Sequence, residues 1–150
     1  MNEARVDDEP MHIGPYRIVG LLGEGGMGRV YLARESHPAR DVALKVVRGA
    51  SPSLVARLRR EIETLAGLEH PGIARLYAAG EARVDGIEAP WLAMEYVRGV
   101  ELLNHVRREG SDLAARLRLL VAIARAVQFA HERGVIHRDL KPANVLVDAE

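Results

Sequence analysis

Apolar and polar positions change rhythm several times along this 150-residue chain. Residues 16–22, 29–34 and 41–47 are short apolar or alternating runs, separated by glycines and by a Ser36-His37-Pro38 turn. That pattern predicts strand, turn, strand, turn, strand in an antiparallel meander. Over residues 53–68 the spacing becomes helical. Leu54, Leu58, Ile62 and Leu65 fall on one stripe, with Ser53 as the expected N-cap. Gly67 and the His70-Pro71-Gly72 turn stop this helix. Residues 73–79 and 91–97 read as two more strands joined by a charged, glycine-containing hairpin connection. Five strands and one helix form a small α+β lobe.

Gly99 marks a change of character. Residues 101–108 read as a short helix, and Ser111 begins a long one with Asp112 in its first turn. Leu113, Leu117, Leu120, Ala124 and Val127 recur at steps of four, three, four and three, which predicts a single buried face. Gly134 ends the helix. Val135-Ile136 and Val145-Leu146-Val147 then flank a polar loop, as a short strand pair would. Three segments result: an acidic, disordered leader over 1–12, a sheet-rich lobe over 13–98, and a mostly helical part over 99–150.

Composition narrows the class. Apolar content of 48% and charged content of 28% are those of a soluble globular protein. Formal net charge is zero with both signs interspersed, so no field favours nucleic acid or an anionic membrane. Without cysteine there is no disulfide framework and no thiolate metal site. The polar start has no basic n-region or apolar h-region of a signal peptide. The longest purely apolar run, 119–124, is far short of the ~20 residues that span a bilayer. One bias stands out: of twenty-one basic side chains only Lys45 and Lys141 are lysine. Lysine is a compact point charge with rotatable donors where arginine is a wide planar fork, so the two exceptions point to sites where a fork will not serve.

Chemistry-bearing motifs surround both lysines. Gly23-Glu24-Gly25-Gly26-Met27-Gly28-Arg29-Val30 satisfies G-x-G-x-x-G-x-V. Three close glycines also occur in ordinary hairpins, so context decides. A dinucleotide-binding fold needs a helix directly after the glycines, whereas residues 29–33 continue as a strand. A Walker A loop needs Lys-Ser/Thr after the last glycine, and this chain has Arg29-Val30. What remains is a glycine hairpin between strands, with N–H groups free to lie over phosphates and no β-carbons to prevent close approach. Lys45 follows in Val42-Ala43-Leu44-Lys45, and Lys141 lies in His137-Arg138-Asp139-Leu140-Lys141-Pro142-Ala143-Asn144. The other histidines, His12, His37, His70, His105 and His131, show no metal spacing.

Together these motifs resemble the N-terminal lobe and early C-terminal lobe of a bacterial Hanks-type serine/threonine protein kinase, over essentially the whole chain. The resemblance implies an α+β kinase-like fold: a five-stranded antiparallel N-lobe with one helix, then the incomplete beginning of a helical C-lobe. It implies ATP and Mg2+ as cofactors and protein substrates with Ser/Thr acceptors. Lys45 would contact the α- and β-phosphates, held by a carboxylate on the helix. Glu61 borders the buried stripe and is preferred over Glu63, which points nearly 200° away at about 100° per residue. Gly23, Gly25 and Gly28 would cover the phosphates. Leu22, Val30 and Ala43 would roof the adenine site and Leu146 floor it, with Met94 as gatekeeper and Glu95 and Val97 offering backbone groups to the adenine edge. Asp139 would accept the substrate hydroxyl proton, Lys141 neutralise charge on the transferring group, and Asn144 bind magnesium. His137 would be a packing residue, and Arg138 would pair with a phosphorylated activation loop.

A kinase also needs a metal-binding aspartate in Asp-Phe-Gly roughly a dozen residues beyond Asn144, and this sequence contains no Asp-Phe-Gly. The expectation is therefore a fragment, inactive by itself, with the long helix's apolar face exposed and prone to self-association. The competing expectations are a pseudokinase-like or truncated scaffold that holds nucleotide without transfer, and a small-molecule phosphotransferase. The resemblance implies a cytoplasmic location, either free or as the cytosolic part of a membrane-anchored kinase.

Overall fold

The computed structural model describes residues 11–148 apart from Met27, Ala50, Ser111 and Arg138, and without the side chains of Arg57 and Glu61. Six strands form one antiparallel sheet: β1 (His12–Ile13), β2 (Tyr16–Gly25), β3 (Gly28–Ser36), β4 (Ala39–Val47), β5 (Leu76–Val84) and β6 (Ile87–Glu95), in spatial order β1-β2-β3-β4-β6-β5. The meander expected from the apolar rhythm is present, and most strands run longer than the sequence predicted. Residues 1–10 of the expected leader lie outside the described residues. Met11 and His12 are held by the sheet, the Ile18 N–H donating to the Met11 carbonyl at 2.8 Å.

Side chains alternate across a strand, so each register pair belongs to one face. Tyr31, Leu44 and Ala93 lie side by side across β3, β4 and β6, and Val46 lies beside Trp91. These five are buried, and with Ile13, Tyr16, Ala33 and Val42 they make the core. The sheet curls around it far enough to bring β1 into contact with β5. Trp91 meets Tyr16 edge to face at 5.3 Å between ring centres. It fits only because its cross-strand partner is Gly80, where a β-carbon would stand 2.6 Å from the indole ring. Among the described residues the buried indole N–H has no partner, so shape rather than hydrogen bonding places this ring.

The hairpin joining β5 to β6 is tighter than predicted. Val84 pairs with Ile87, leaving only Asp85 and Gly86, both at positive φ (51° and 80°), as a type I′ turn requires. Helix α1 (Pro52–Leu65) starts one residue before the predicted span. Ser51, not Ser53, is the N-cap; its Oγ accepts from the Leu54 N–H at 3.3 Å. Pro52 explains the shift, since proline suits the first helical position and keeps the preceding residue extended. The helix stops at Leu65, before Gly67, and its Arg59 reaches Glu81 on β5 at 2.6 Å.

Beyond the sheet come β7 (Gly99–Glu101), α2 (Leu102–Arg108), α3 (Leu113–Glu132), a single 3-10 turn (Pro142–Asn144) and β8 (Leu146–Asp148). Ser111 lies outside the described residues, and Asp112 caps α3, its Oδ1 accepting from the Ala115 N–H at 2.7 Å. Two expectations need correction. Val135-Ile136 form no strand; β8 pairs with β7 instead, because Gly99 lets the Val147 carbonyl approach to 2.5 Å from where a β-carbon would stand. The predicted buried face of α3 is exposed in this chain. Leu113, Leu117 and Leu120 are 73%, 51% and 58% accessible, and Ala124 is exposed too, while Val127 is half-buried. Among the described residues α3 packs through Ala126, buried against Gly72, and Phe129, 4.9 Å from the His70 ring.

Gly80→Ala should destabilise the chain by about 1–3 kcal/mol by overpacking Trp91, whereas Gly23→Ala, with open space around it, should leave thermal unfolding nearly unchanged. Equal melting of the two variants would contradict this packing. The open face of α3 should make the 150-residue chain self-associate in light scattering, less so with Leu117→Glu and Leu120→Glu. A monodisperse parent chain would refute that.

Candidate functional site

The face of the sheet opposite the core carries most of the predicted site. Val30 pairs with Lys45 and Lys45 with Leu92; Leu32 pairs with Ala43 and Ala43 with Met94. By pleat alternation Val30, Ala43, Lys45 and Met94 therefore share one surface, while Val42, Leu44 and Val46 between them are buried on the other. Each of the four is only half-buried. Lys45 keeps its place for the same reason: one step along β4 in either direction would drive an ammonium into an apolar core. The side chain of its expected partner, Glu61, lies outside the described residues.

The glycine motif forms the β2–β3 hairpin, with Gly25 paired to Gly28 and Gly26 and Met27 at its tip, Met27 being outside the described residues. The glycines have different causes. A β-carbon on Gly28, whose φ is +133°, would stand 1.9 Å from the Val46 carbonyl oxygen, so the fold itself demands glycine there. At Gly23 and Gly25 a β-carbon would meet nothing within 4 Å, and neither has positive φ. Neither packing nor backbone conformation requires glycine at those two positions. Leu22 is the extra residue of a bulge between the Leu21–Tyr31 and Gly23–Val30 pairs and is 46% exposed.

A short connector leaves the sheet after β6. The Glu95 N–H donates to the Arg75 carbonyl at 2.8 Å, and the Glu95 carboxylate accepts from the Arg75 N–H at 3.1 Å. Residues 96–98 belong to no strand. Among the described residues no main-chain group accepts the Val97 N–H. Immediately beyond, β7 pairs with β8, which places the half-exposed Leu146 opposite Glu101.

The loop preceding β8 gathers the remaining groups. Asn144 donates through Nδ2 to the Asp139 carbonyl at 2.8 Å and to Asp139 Oδ2 at 3.1 Å. Lys141 Nζ stands 3.1 Å from the same Oδ2. The Lys141 ammonium first, and the Asn144 amide second, hold the Asp139 carboxyl below the usual carboxylate range. His137 accepts the Asp139 N–H at its Nδ1, 3.3 Å away, which braces the turn. Arg138 lies outside the described residues. Pro142, at the first position of the 3-10 turn, starts the turn that carries Asn144 back to Asp139. The Asn144 nitrogen is thus committed, and its amide oxygen is the atom left to face a cation. A hard oxygen donor of this kind suits Mg2+, which usually takes few protein ligands and keeps water or phosphate oxygens.

A family model described as the protein kinase domain matches residues 16–150. The chain belongs to the protein kinase family. It is 42% identical over 145 residues to the serine/threonine-protein kinase PknB of Mycobacterium tuberculosis H37Rv, covering 93% of this chain and 23% of that protein. It is 38% identical over 145 residues to the probable serine/threonine-protein kinase SCO3848 of Streptomyces coelicolor, covering 93% of this chain and 22% of that protein. The chain therefore spans about a quarter of the length of these curated relatives. Its fold superposes on the crystal structure of a single-site mutant of the M. tuberculosis PknI kinase domain with a TM-score of 0.79 at 33% identity, covering 94% of this chain and 58% of that one. The family and the kinase-like fold expected from the motifs are thereby established, as is the bacterial Hanks-type serine/threonine branch.

Sequence reading of this kinase segment missed the side chains that hold the connector. Asp41 accepts from Arg34 Nε and Nη2 at 2.9 and 2.7 Å through Oδ1, and from Arg98 Nη2 at 3.0 Å through Oδ2. Arg34 and Asp41 are a cross-strand pair that a correct β3–β4 register would have revealed. Arg98, fifty-seven residues away, carried no local signal.

Proposed function

We propose that this chain is the nucleotide-binding lobe (13–98) and the start of the second lobe (99–150) of a serine/threonine protein kinase. The intact enzyme would transfer the γ-phosphoryl group of ATP to Ser/Thr hydroxyls of protein substrates. The observation that carries this reading is the Asp139–Lys141–Asn144 cluster, in which one exposed carboxylate is oriented by an ammonium and an amide. Gly23 and Gly25 support it from the other side of the site, because phosphates lying over the hairpin account for two glycines that the fold does not need.

In this mechanism the adenine ring lies against Val30 and Ala43, beside Met94, with Leu22 and Leu146 closing from either side. Each of those two leucines is 46% exposed without a ligand, and an apolar ring would cover them. Val97 and Glu95 meet the adenine edge through the backbone. Lys45 aims its point charge at the α- and β-phosphates, held by Glu61. Asp139, kept anionic by Lys141, accepts the hydrogen bond of the substrate hydroxyl. As the hydroxyl oxygen forms its bond to the γ-phosphorus, the proton passes to the Asp139 carboxylate and the bond to the ADP oxygen breaks. Lys141 can then turn from Asp139 toward the charge on the transferring group. Asn144 would hold Mg2+ through its amide oxygen; the ion supplies charge neutralisation on the β- and γ-oxygens when bound.

Partners in this reading are protein substrates, with no nucleic acid. The enzyme would work on the cytoplasmic side, free or as the cytosolic part of a membrane-anchored kinase. Among the described residues no helix is long and apolar enough to cross a membrane.

In the intact protein Asp139→Asn should lower phosphate transfer at least ~10²-fold while ATP affinity, measured by calorimetry, stays within twofold. Lys45→Arg, although it conserves charge, should also abolish transfer, because a fork cannot occupy the place of a point charge. Wild-type turnover by either variant would refute the role given to that residue.

A further inference from the structure

The connector between sheet and second lobe is fastened at both ends, and the second fastening, Arg98 on Asp41, has no role in the nucleotide reading so far. At the β6 end, Glu95 is tied to Arg75 through its amide and its carboxylate. Directly after Glu95 the chain leaves the ladder, since Val42–Glu95 is the outermost β4–β6 pair. It is drawn back to the sheet by the Arg98 guanidinium on Asp41 at 3.0 Å. Among the ion pairs of described residues, this is the one that joins the sheet to the connector. Asp41 is well suited to receive it. Its side chain is only 18% accessible, and Arg34 on the neighbouring strand already fixes its other oxygen through two contacts. By the alternation of β4, Asp41 lies on the same face as Ala43 and Lys45.

We propose that Asp41 is a positioning residue for nucleotide binding: held by Arg34, it anchors Arg98 and so fixes the height of the Val97 backbone above the Ala43–Lys45 face. The inference rests on the nucleotide reading above. A segment of two or three residues tied at Glu95 and at Arg98 has little freedom to move Val97. With the Arg98 tie cut, the downstream end is held, among the described residues, through β7, whose partner β8 belongs to the other part of the chain, and through the Leu102 N–H on the Val145 carbonyl. The Val97 N–H would then sample positions from which it does not meet the ligand edge, and part of the binding free energy would go into ordering it. The transferring groups on the 139–144 loop are untouched, so the effect falls on binding and not on the chemical step.

The experiment measures ADP and ATP affinity by calorimetry, together with KM for ATP and kcat, in the intact protein and its Asp41→Asn, Arg98→Met and Arg98→Lys variants. The single Arg98–Asp41 contact can be made by an ammonium, so Arg98→Lys should bind as wild type. Asp41→Asn and Arg98→Met should each weaken nucleotide binding and raise KM for ATP about two- to fivefold, the size an exposed ion pair can transmit. Their kcat and their KM for the phosphoacceptor should stay unchanged, and the double variant should be no weaker than either single one. If both variants bind nucleotide as the wild type does, or lose kcat with KM unmoved, the positioning role is overturned. If the wild type itself binds no nucleotide, the functional reading fails and takes this role with it. A melting temperature unchanged in Arg98→Met, whose side chain is largely exposed, separates positioning from general loss of fold.

Discussion

The pleat of β4 separates the two tasks of the sheet. Val42, Leu44 and Val46 point into the core, and Asp41, Ala43 and Lys45 point to the opposite surface. A shift of one residue against β3 or β6 would exchange the sets, burying an ammonium and a carboxylate and exposing three core aliphatics. The register is held by contacts that tolerate no slip. Gly28 admits the Val46 carbonyl, and Gly80 admits the Trp91 ring. Everything on the face bearing Ala43 and Lys45 inherits its position from those core contacts.

Two kinds of fastening then place the rest. Backbone ladders and tight glycine approaches fix β7 against β8 and so bring Leu146 close behind the connector. Local contacts fix the loop over 137–144, where Asn144, Lys141 and His137 all converge on Asp139 within a few residues of sequence. Arginine and lysine divide along these lines. Arginines make the described cross-strand and helix-to-strand ion pairs and stack on Tyr77 and Phe129. Of the two lysines, Lys45 stands on the sheet face beside Val30, and Lys141 beside the carboxylate of the loop.

Much of this was legible in sequence because it is local. Period-two runs gave the strands, and the glycine, Val-Ala-Leu-Lys and His-Arg-Asp motifs gave the family. What escaped depends on partners far apart in the chain. Whether a helix face is buried depends on what is packed against it, so the stripe through Leu117 and Leu120 predicted burial that this chain does not provide. Val135-Ile136 had the apolar character of a strand, but the edge that β8 pairs with was made by Gly99–Glu101. Ser51 was overlooked as a cap because Pro52 takes the first helical position and moves the cap two residues back from Ser53. The Asp41–Arg98 tie had no sequence signature at all, being an ordinary surface pair until the connector brings its ends together.

The central claim is that the face bearing Val30, Ala43, Lys45 and Met94 is where nucleotide binds. Methyl NMR of the labelled protein during titration with Mg-ATP tests it directly, since the two faces of the sheet carry distinguishable methyl groups. The account predicts saturable shifts at Val30, Ala43 and Met94, with Val42, Leu44 and Val46 nearly still. Saturable binding that moves the second group and leaves the first unmoved would contradict it.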